Sequence, residues 1–141
     1  MKILRTLLLL SLGILFFCCE KNDENDKNER NLIFNADNLK QTGWKGEITL
    51  FSNGKADSQG EIRMEFTTEN EGICECKLDY FIDPETYTFT YEIKDKLMHI
   101  KNPPPYIRGG WILQKFDKDS LVIAQTPALT DWEIIKLKKL Y

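Results

Sequence analysis

The chain has 141 residues, room for one domain, and its 42% hydrophobic and 29% charged residues are those of a chain that folds. With 19 basic and 22 acidic residues it is mildly acidic, and no basic cluster stands out in the sequence, which excludes nucleic acid as an expected partner. A single histidine and four cysteines leave little material for a metal centre or a nucleophile with its base.

The first signal is how unevenly the apolar residues fall. Lys2 and Arg5 precede an uncharged, almost wholly apolar run over residues 6–17. About 12 residues match the apolar core of a signal peptide and are too short to cross ~30 Å of hydrocarbon. The run stops at Cys18-Cys19 and turns abruptly polar. That junction resembles the bacterial lipobox, in which a bulky aliphatic residue and a small residue precede the acylated cysteine. Reading Cys19 as the acylated residue puts small Cys18 before it and Phe16 at the bulky position. Reading Cys18 instead sets large Phe17 against the cleavage point, so Cys19 is the expected site. The resemblance implies a signal peptide over residues 1–18 and a membrane anchor of acyl chains such as palmitate. Loss of Lys2 and Arg5 leaves 17 basic against 22 acidic residues, a formal charge of −5. Membrane contact is therefore expected from the acyl chains rather than from a cationic face.

Residues 20–31 hold five acids, three bases and four asparagines, with no apolar side chain. Such a segment buries too little to offset its ordering entropy, so residues 19–31 are expected to be the lipidated cysteine and a flexible tether. Acids soon after the cysteine also resemble the export signal of Bacteroidetes surface lipoproteins. Periplasmic and surface-facing placements in the outer membrane both stay open.

Residues 32–141 read as the folded domain. Leu32, Ile33, Phe34 and Leu39 flank a short turn or one-turn helix, after which apolar residues recur with period two. Trp44, Gly46, Ile48 and Leu50 form the first set. Beyond the Asn53-Gly54 turn come Ile62, Met64 and Phe66, and then Cys74, Cys76, Leu78 and Tyr80. After Asp83-Pro84, the residues Tyr87, Phe89, Tyr91 and Ile93 alternate most cleanly. Residues 97–101, 111–116, 121–125 and 132–140 complete the set, and the inward face of 97–101 is not decided by pattern. Eight short strands with one apolar face each predict an all-β fold, an antiparallel meander. Closure into a barrel removes its exposed edges.

Gly43-Trp44, Tyr91-Glu92-Ile93 before a tight turn and Leu97, and Trp111 to Phe116 leading to Asp119-Ser120-Leu121 resemble the small lipocalin-like lipoproteins of Bacteroidetes. The resemblance spans residues 39–141 and implies a lipocalin-like β-barrel in the cell envelope. Lipocalins have one residue between the glycine and the tryptophan, whereas Gly43 and Trp44 are adjacent. Their late arginine on that tryptophan has Lys136, Lys138 or Lys139 as its counterpart here.

Chemistry-bearing residues are few. Cys74 and Cys76 share a strand face, with Cα atoms about 6.5–7 Å apart, the far limit for a disulfide. They read as core packing, with a strained disulfide or a metal site using His99 as alternatives. His99 reads as a solvated hairpin residue. No nucleophile elbow or second metal-binding histidine accompanies it, so no catalytic residue, cofactor or metal is expected.

Trp44, Phe66, Tyr87, Phe89 and Tyr91 form an inward aromatic stripe that either fills the barrel or lines a cavity for a small apolar or amphipathic ligand. Pro103-Pro104-Pro105 stiffen a loop carrying Tyr106 and Arg108, which either caps one barrel end or contacts an envelope protein or glycan. The expected role is binding, not catalysis. Cys19→Ala is expected to abolish acylation and leave an unprocessed or unlipidated form. Intact-mass measurement checks this, and acyl mass surviving in Cys19→Ala but lost in Cys18→Ala would reassign the anchor.

Overall fold

The computed structural model describes residues 32–80, 82–102, 106–126 and 129–141. The signal segment, Cys19, the tether and Pro103 to Pro105 lie outside the described residues. One short helix, α1 (Ala36–Leu39), precedes eight strands: β1 (Thr42–Ser52), β2 (Lys55–Phe66), β3 (Glu71–Leu78), β4 (Glu85–Lys94), β5 (Leu97–Lys101), β6 (Gly109–Phe116), β7 (Ser120–Gln125) and β8 (Asp131–Lys139). Each strand pairs antiparallel with the next, and β8 returns to β1, closing the sheet into a barrel. The expected all-β meander and its closure are both present.

Period-two alternation drives the arrangement. In β3 every second side chain, from Gly72 through Cys74 and Cys76 to Leu78, is buried and its neighbours are exposed. The face of β5 left open by the sequence is settled by Met98 and Ile100, both fully buried. Asn53 and Gly54 both have positive φ, 51° and 75°, the conformation that turns a two-residue hairpin between β1 and β2. One expectation fails. Tyr80 does not continue the inward set of β3, for the strand ends at Leu78 and Tyr80 is 62% exposed. The cause is local. The Asp79 carboxylate accepts from Ser58 Oγ and from the Gln59 backbone N–H, while the Asp79 N–H donates to the Gln59 carbonyl at 2.9 Å, turning the chain.

The meander gives the barrel two unlike ends. α1 and the turns β2–β3, β4–β5 and β6–β7 gather at one end, and the hairpin β1–β2 and loops β3–β4, β5–β6 and β7–β8 at the other. The first end is sealed. Leu39, fully buried on α1, and Phe34 cover it, and Phe34 meets Phe116 edge-on at 5.4 Å between ring centroids. Trp44 lies 6.1 Å from the same Phe116 ring, and its indole N–H donates to Thr42 Oγ1 at 2.7 Å. Thr42 Oγ1 in turn donates to the Leu39 carbonyl. Lys139 Nζ sits 5.7 Å above the Trp44 ring, so a lysine from the last strand covers the first tryptophan.

Tight curvature is met by glycine. A Cβ on Gly46 would lie 1.9 Å from the Lys136 carbonyl oxygen of β8, and one on Gly60 would lie 2.3 Å from that of Lys77 on β3. Both obstacles are backbone, so the strands would have to separate. Gly46→Ala is expected to lower stability by about 1–3 kcal/mol. Denaturant unfolding checks this, and an unchanged midpoint would show that β1 and β8 are not in such close approach.

Candidate functional site

The five aromatic residues read from the sequence divide between the two halves of the barrel. Trp44, Phe66, Phe89 and Tyr91 are at most 3% exposed. Phe66 meets Phe89 at 5.8 Å and Tyr91 at 5.1 Å, both edge-on, and the Tyr91 hydroxyl donates to the Thr68 carbonyl in the β2–β3 turn at 2.8 Å. These four fill the sealed half. Burial pushes the Tyr91 phenol up to about 12, so it is neutral at any physiological pH.

Tyr87 alone of the five lies toward the loop end, where polar inward residues stand beside the fully buried Ile107 and Trp111. Its phase on β4 points it inward beside Glu85, yet both are only half-buried. The Tyr87 hydroxyl donates to Glu85 Oε2, and the Tyr106 hydroxyl donates to the same oxygen at 3.4 Å. The two phenol rings meet edge-on at 6.3 Å. Tyr106 therefore leans in over the mouth rather than standing clear of it, while Arg108 of the same loop is exposed. Glu85 raises the Tyr87 phenol, and burial raises that of Tyr106.

Across the barrel, inward positions on β7 and β8 carry Gln125 and Glu133, and Gln125 Nε2 donates to Glu133 Oε2. Gln125 is 7% exposed, and its Oε1 would lie 2.7 Å from a Cβ on Gly109, whose φ is +127°. Glycine thus opens room for the amide beside the β5–β6 loop. Burial holds the Glu133 carboxyl above its ordinary range, opposed by the Gln125 hydrogen bond. Gln125 and Glu133 were not singled out from sequence. Their signal was present, a polar residue at an inward position of an alternating strand.

Cys74 and Cys76 are free and buried, as the core reading expects. Burial lifts the Cys76 thiol to about 12, with nearby Glu85 adding to it, and pushes Cys74 up further, so neither is a ready nucleophile. His99 is exposed on β5, with Nδ1 3.5 Å from Glu92 Oε1, and it is far in sequence and face from the thiols. Among the described residues no group of three or more His, Cys, Asp or Glu is placed to hold a metal ion. Comparison with protein-family models, with curated proteins and with solved structures finds no match to this chain.

The loop end gathers phenol rings with apolar faces, and Glu85, Gln125 and Glu133 as acceptors and an amide donor. Its electrostatics give a test. Because the folded Glu133 carboxyl is raised above the ordinary glutamate value near ~4.3, native protein keeps a proton that the unfolded chain has released. Stability contributed by this group therefore falls as pH rises through that window and is lowest above it. Glu133→Gln is expected to be more stable than wild type near pH 7, with the gain vanishing by about pH 4. Unfolding midpoints at the two pH values check this, and a gain independent of pH would contradict the buried carboxyl.

Proposed function

We propose that this chain is a cell-envelope lipoprotein, anchored in the outer membrane through Cys19, whose lipocalin-like barrel is a non-catalytic binding domain. Its ligand is a small apolar or amphipathic molecule taken at the open end. The observation that carries the reading is the division of the inward set. One half is filled by aromatic rings, and the other sets half-buried polar side chains, Tyr87 and Glu85 foremost, beside the fully buried Ile107 and Trp111. A core that needed only to be filled gains nothing from facing carboxylates inward, since each costs desolvation without adding packing. A binding mouth uses such groups to orient a ligand.

A second reading, a protein- or glycan-interaction module acting through the loops of a filled barrel, is favoured by the tight ring packing of the sealed half and by exposed Arg108. The two readings separate by mutation. Phe89→Ala lies in the filled half and is expected to cost about 3–5 kcal/mol while leaving ligand affinity nearly unchanged. Tyr87→Ala is expected to cost less stability and to weaken an environment-sensitive apolar dye by roughly tenfold, the loss of one well-placed phenol. Dye titration of the full chain and its two variants, beside denaturant unfolding, checks both. Wild type that takes up no dye in a saturable way would reject the carrier and leave the interaction module.

A further inference from the structure

The outer wall of the barrel is not uniform. Around β1, β2 and β3 it is charged and internally paired: Lys45 Nζ lies 3.2 Å from Glu61 Oε2, and Arg63 pairs with Glu65. The wall from β5 to β8, which meets β1 at the barrel seam, carries one apolar row at positions that should face water. Leu97 on β5 is the register partner of Ile112 on β6, Ile112 of Ala124 on β7, and Ala124 of Ile134 on β8. Three strand spacings make this an unbroken row about 14 Å long. Leu97 is 44% exposed and Ile112 54%, and Trp132, two residues before Ile134 on the same face, is 37% exposed and stacked flat on Phe51 at 3.6 Å. Exposed aliphatic side chains on adjoining strands form the kind of patch that soluble walls avoid.

The next row toward the sealed end changes character. Val122 is flanked by its register partners Lys115 and Lys136, and one row further Ser120 faces Lys138. Lys96 adjoins Leu97, and Lys118 lies in the β6–β7 turn. Acids are interspersed here, for Lys115 pairs with Asp117 at 2.7 Å and Glu47 on β1 is the register partner of Lys136. Even so, none of Lys96, Lys118, Lys136 and Lys138 forms an ion pair with an acid among the described residues, whereas Lys40, Lys45, Arg63 and Lys101 do. These lysines are scattered in sequence, which hides them from any search for a basic run. Folding assembles them along one margin of the apolar row.

We infer that the β5–β8 wall is a membrane-contact face that lays Leu97, Ile112, Ile134 and Trp132 into the interface of an anionic lipid surface, with the lysine margin on its headgroups. Charge complementarity selects the occupant. Unpaired lysines beside an aliphatic row want dense negative charge next to hydrocarbon, which a bilayer of anionic lipids supplies along its whole surface. A second copy would bring the same lysines to the same strip and meet repulsion. The inference rests on the lipid-anchor reading in one respect: residues 20–31 would keep the barrel within about 40 Å of the bilayer, so weak contact suffices. The acyl chains then do not act alone, contrary to the expectation from the sequence.

Trp132 is a built-in reporter, because Trp44 and Trp111 are at most 1% exposed. The full chain is mixed with vesicles of phosphatidylglycerol or phosphatidylcholine carrying brominated acyl chains, and tryptophan quenching is read. Phosphatidylglycerol vesicles are expected to quench the emission that Trp132→Phe removes, phosphatidylcholine vesicles much less, and high salt should abolish the difference. Lys136→Glu with Lys138→Glu should raise the phosphatidylglycerol concentration needed for half-quenching on the order of tenfold, while Glu75→Lys, exposed on β3 across the barrel from β7, leaves it unchanged. Equal quenching by both lipids, or indifference to the lysine reversals, would overturn the inference. Intact mass of the same preparation separates it from the anchor. Acylated protein without quenching rejects the face alone, and quenching of unacylated protein rejects the anchor alone. Absent quenching with photo-crosslinking from position 112 to an acidic envelope protein would assign the strip to a protein partner instead.

Discussion

Nine register pairs between β1 and β8, from Trp44 with Lys139 to Ser52 with Asp131, convert a meander into a barrel, and the remaining features are consequences of that closure. Without it β1 and β8 would be edges, each presenting unpaired backbone groups to other chains. With it, every alternate side chain has one of two fates, inside or outside, and a one-residue slip would exchange them along a whole strand. Gly46 shows how narrowly the seam is fitted. Its missing Cβ is what lets the Lys136 carbonyl lie against β1.

Closure also makes the two ends chemically independent. Antiparallel succession puts alternate connections at opposite ends, so α1 and the turns β2–β3, β4–β5 and β6–β7 collect at one, and the β1–β2 hairpin with the three longer loops at the other. The short end is sealed by a chain of contacts from Leu39 through Thr42 to Trp44, with Phe34, Phe116 and Lys139 completing it. The loop end receives Tyr106 over Tyr87 and Glu85, with Gln125 and Glu133 across the barrel. The loop end has its own packed core in Trp111, whose indole N–H donates to the Ile107 carbonyl at 2.8 Å, and this packing lets it carry polar groups that contribute little to stability.

Much of this was legible because a barrel strand exposes its environment to a two-residue period. Trp44, Ile62, Met64, Phe66, Cys74, Cys76, Phe89 and Tyr91 declare themselves by alternation, and all are buried. Alternation fails where the cause is not periodic. Tyr80 is turned outward by a side-chain hydrogen bond from Ser58 to Asp79, a contact between residues 21 apart that no local pattern carries. Which of Tyr87, Phe89 and Tyr91 would reach the mouth was equally hidden. All three share a strand face, and only the direction of β4 relative to α1 decides that Tyr87 lies nearest the open end. Of Lys136, Lys138 and Lys139, it is Lys139 that the strand register sets over the Trp44 ring, which the sequence left open.

The least legible feature is the outer wall, because inward alternation tells only which residues face out and not what they meet there. Leu97, Ile112, Ala124 and Ile134 occur on four strands, and each looks like an isolated surface aliphatic in its own segment. Registration turns them into a row, and the same registration sets Lys136 beside Val122. A free barrel in water has no use for such a row, since exposed apolar area favours association and unpaired lysines favour separation. The two tendencies act together only at a boundary between hydrocarbon and negative charge. On that argument the barrel has three surfaces of distinct chemistry, a sealed end, a polar mouth and a wall suited to lipid headgroups, and all three follow from how eight strands are registered.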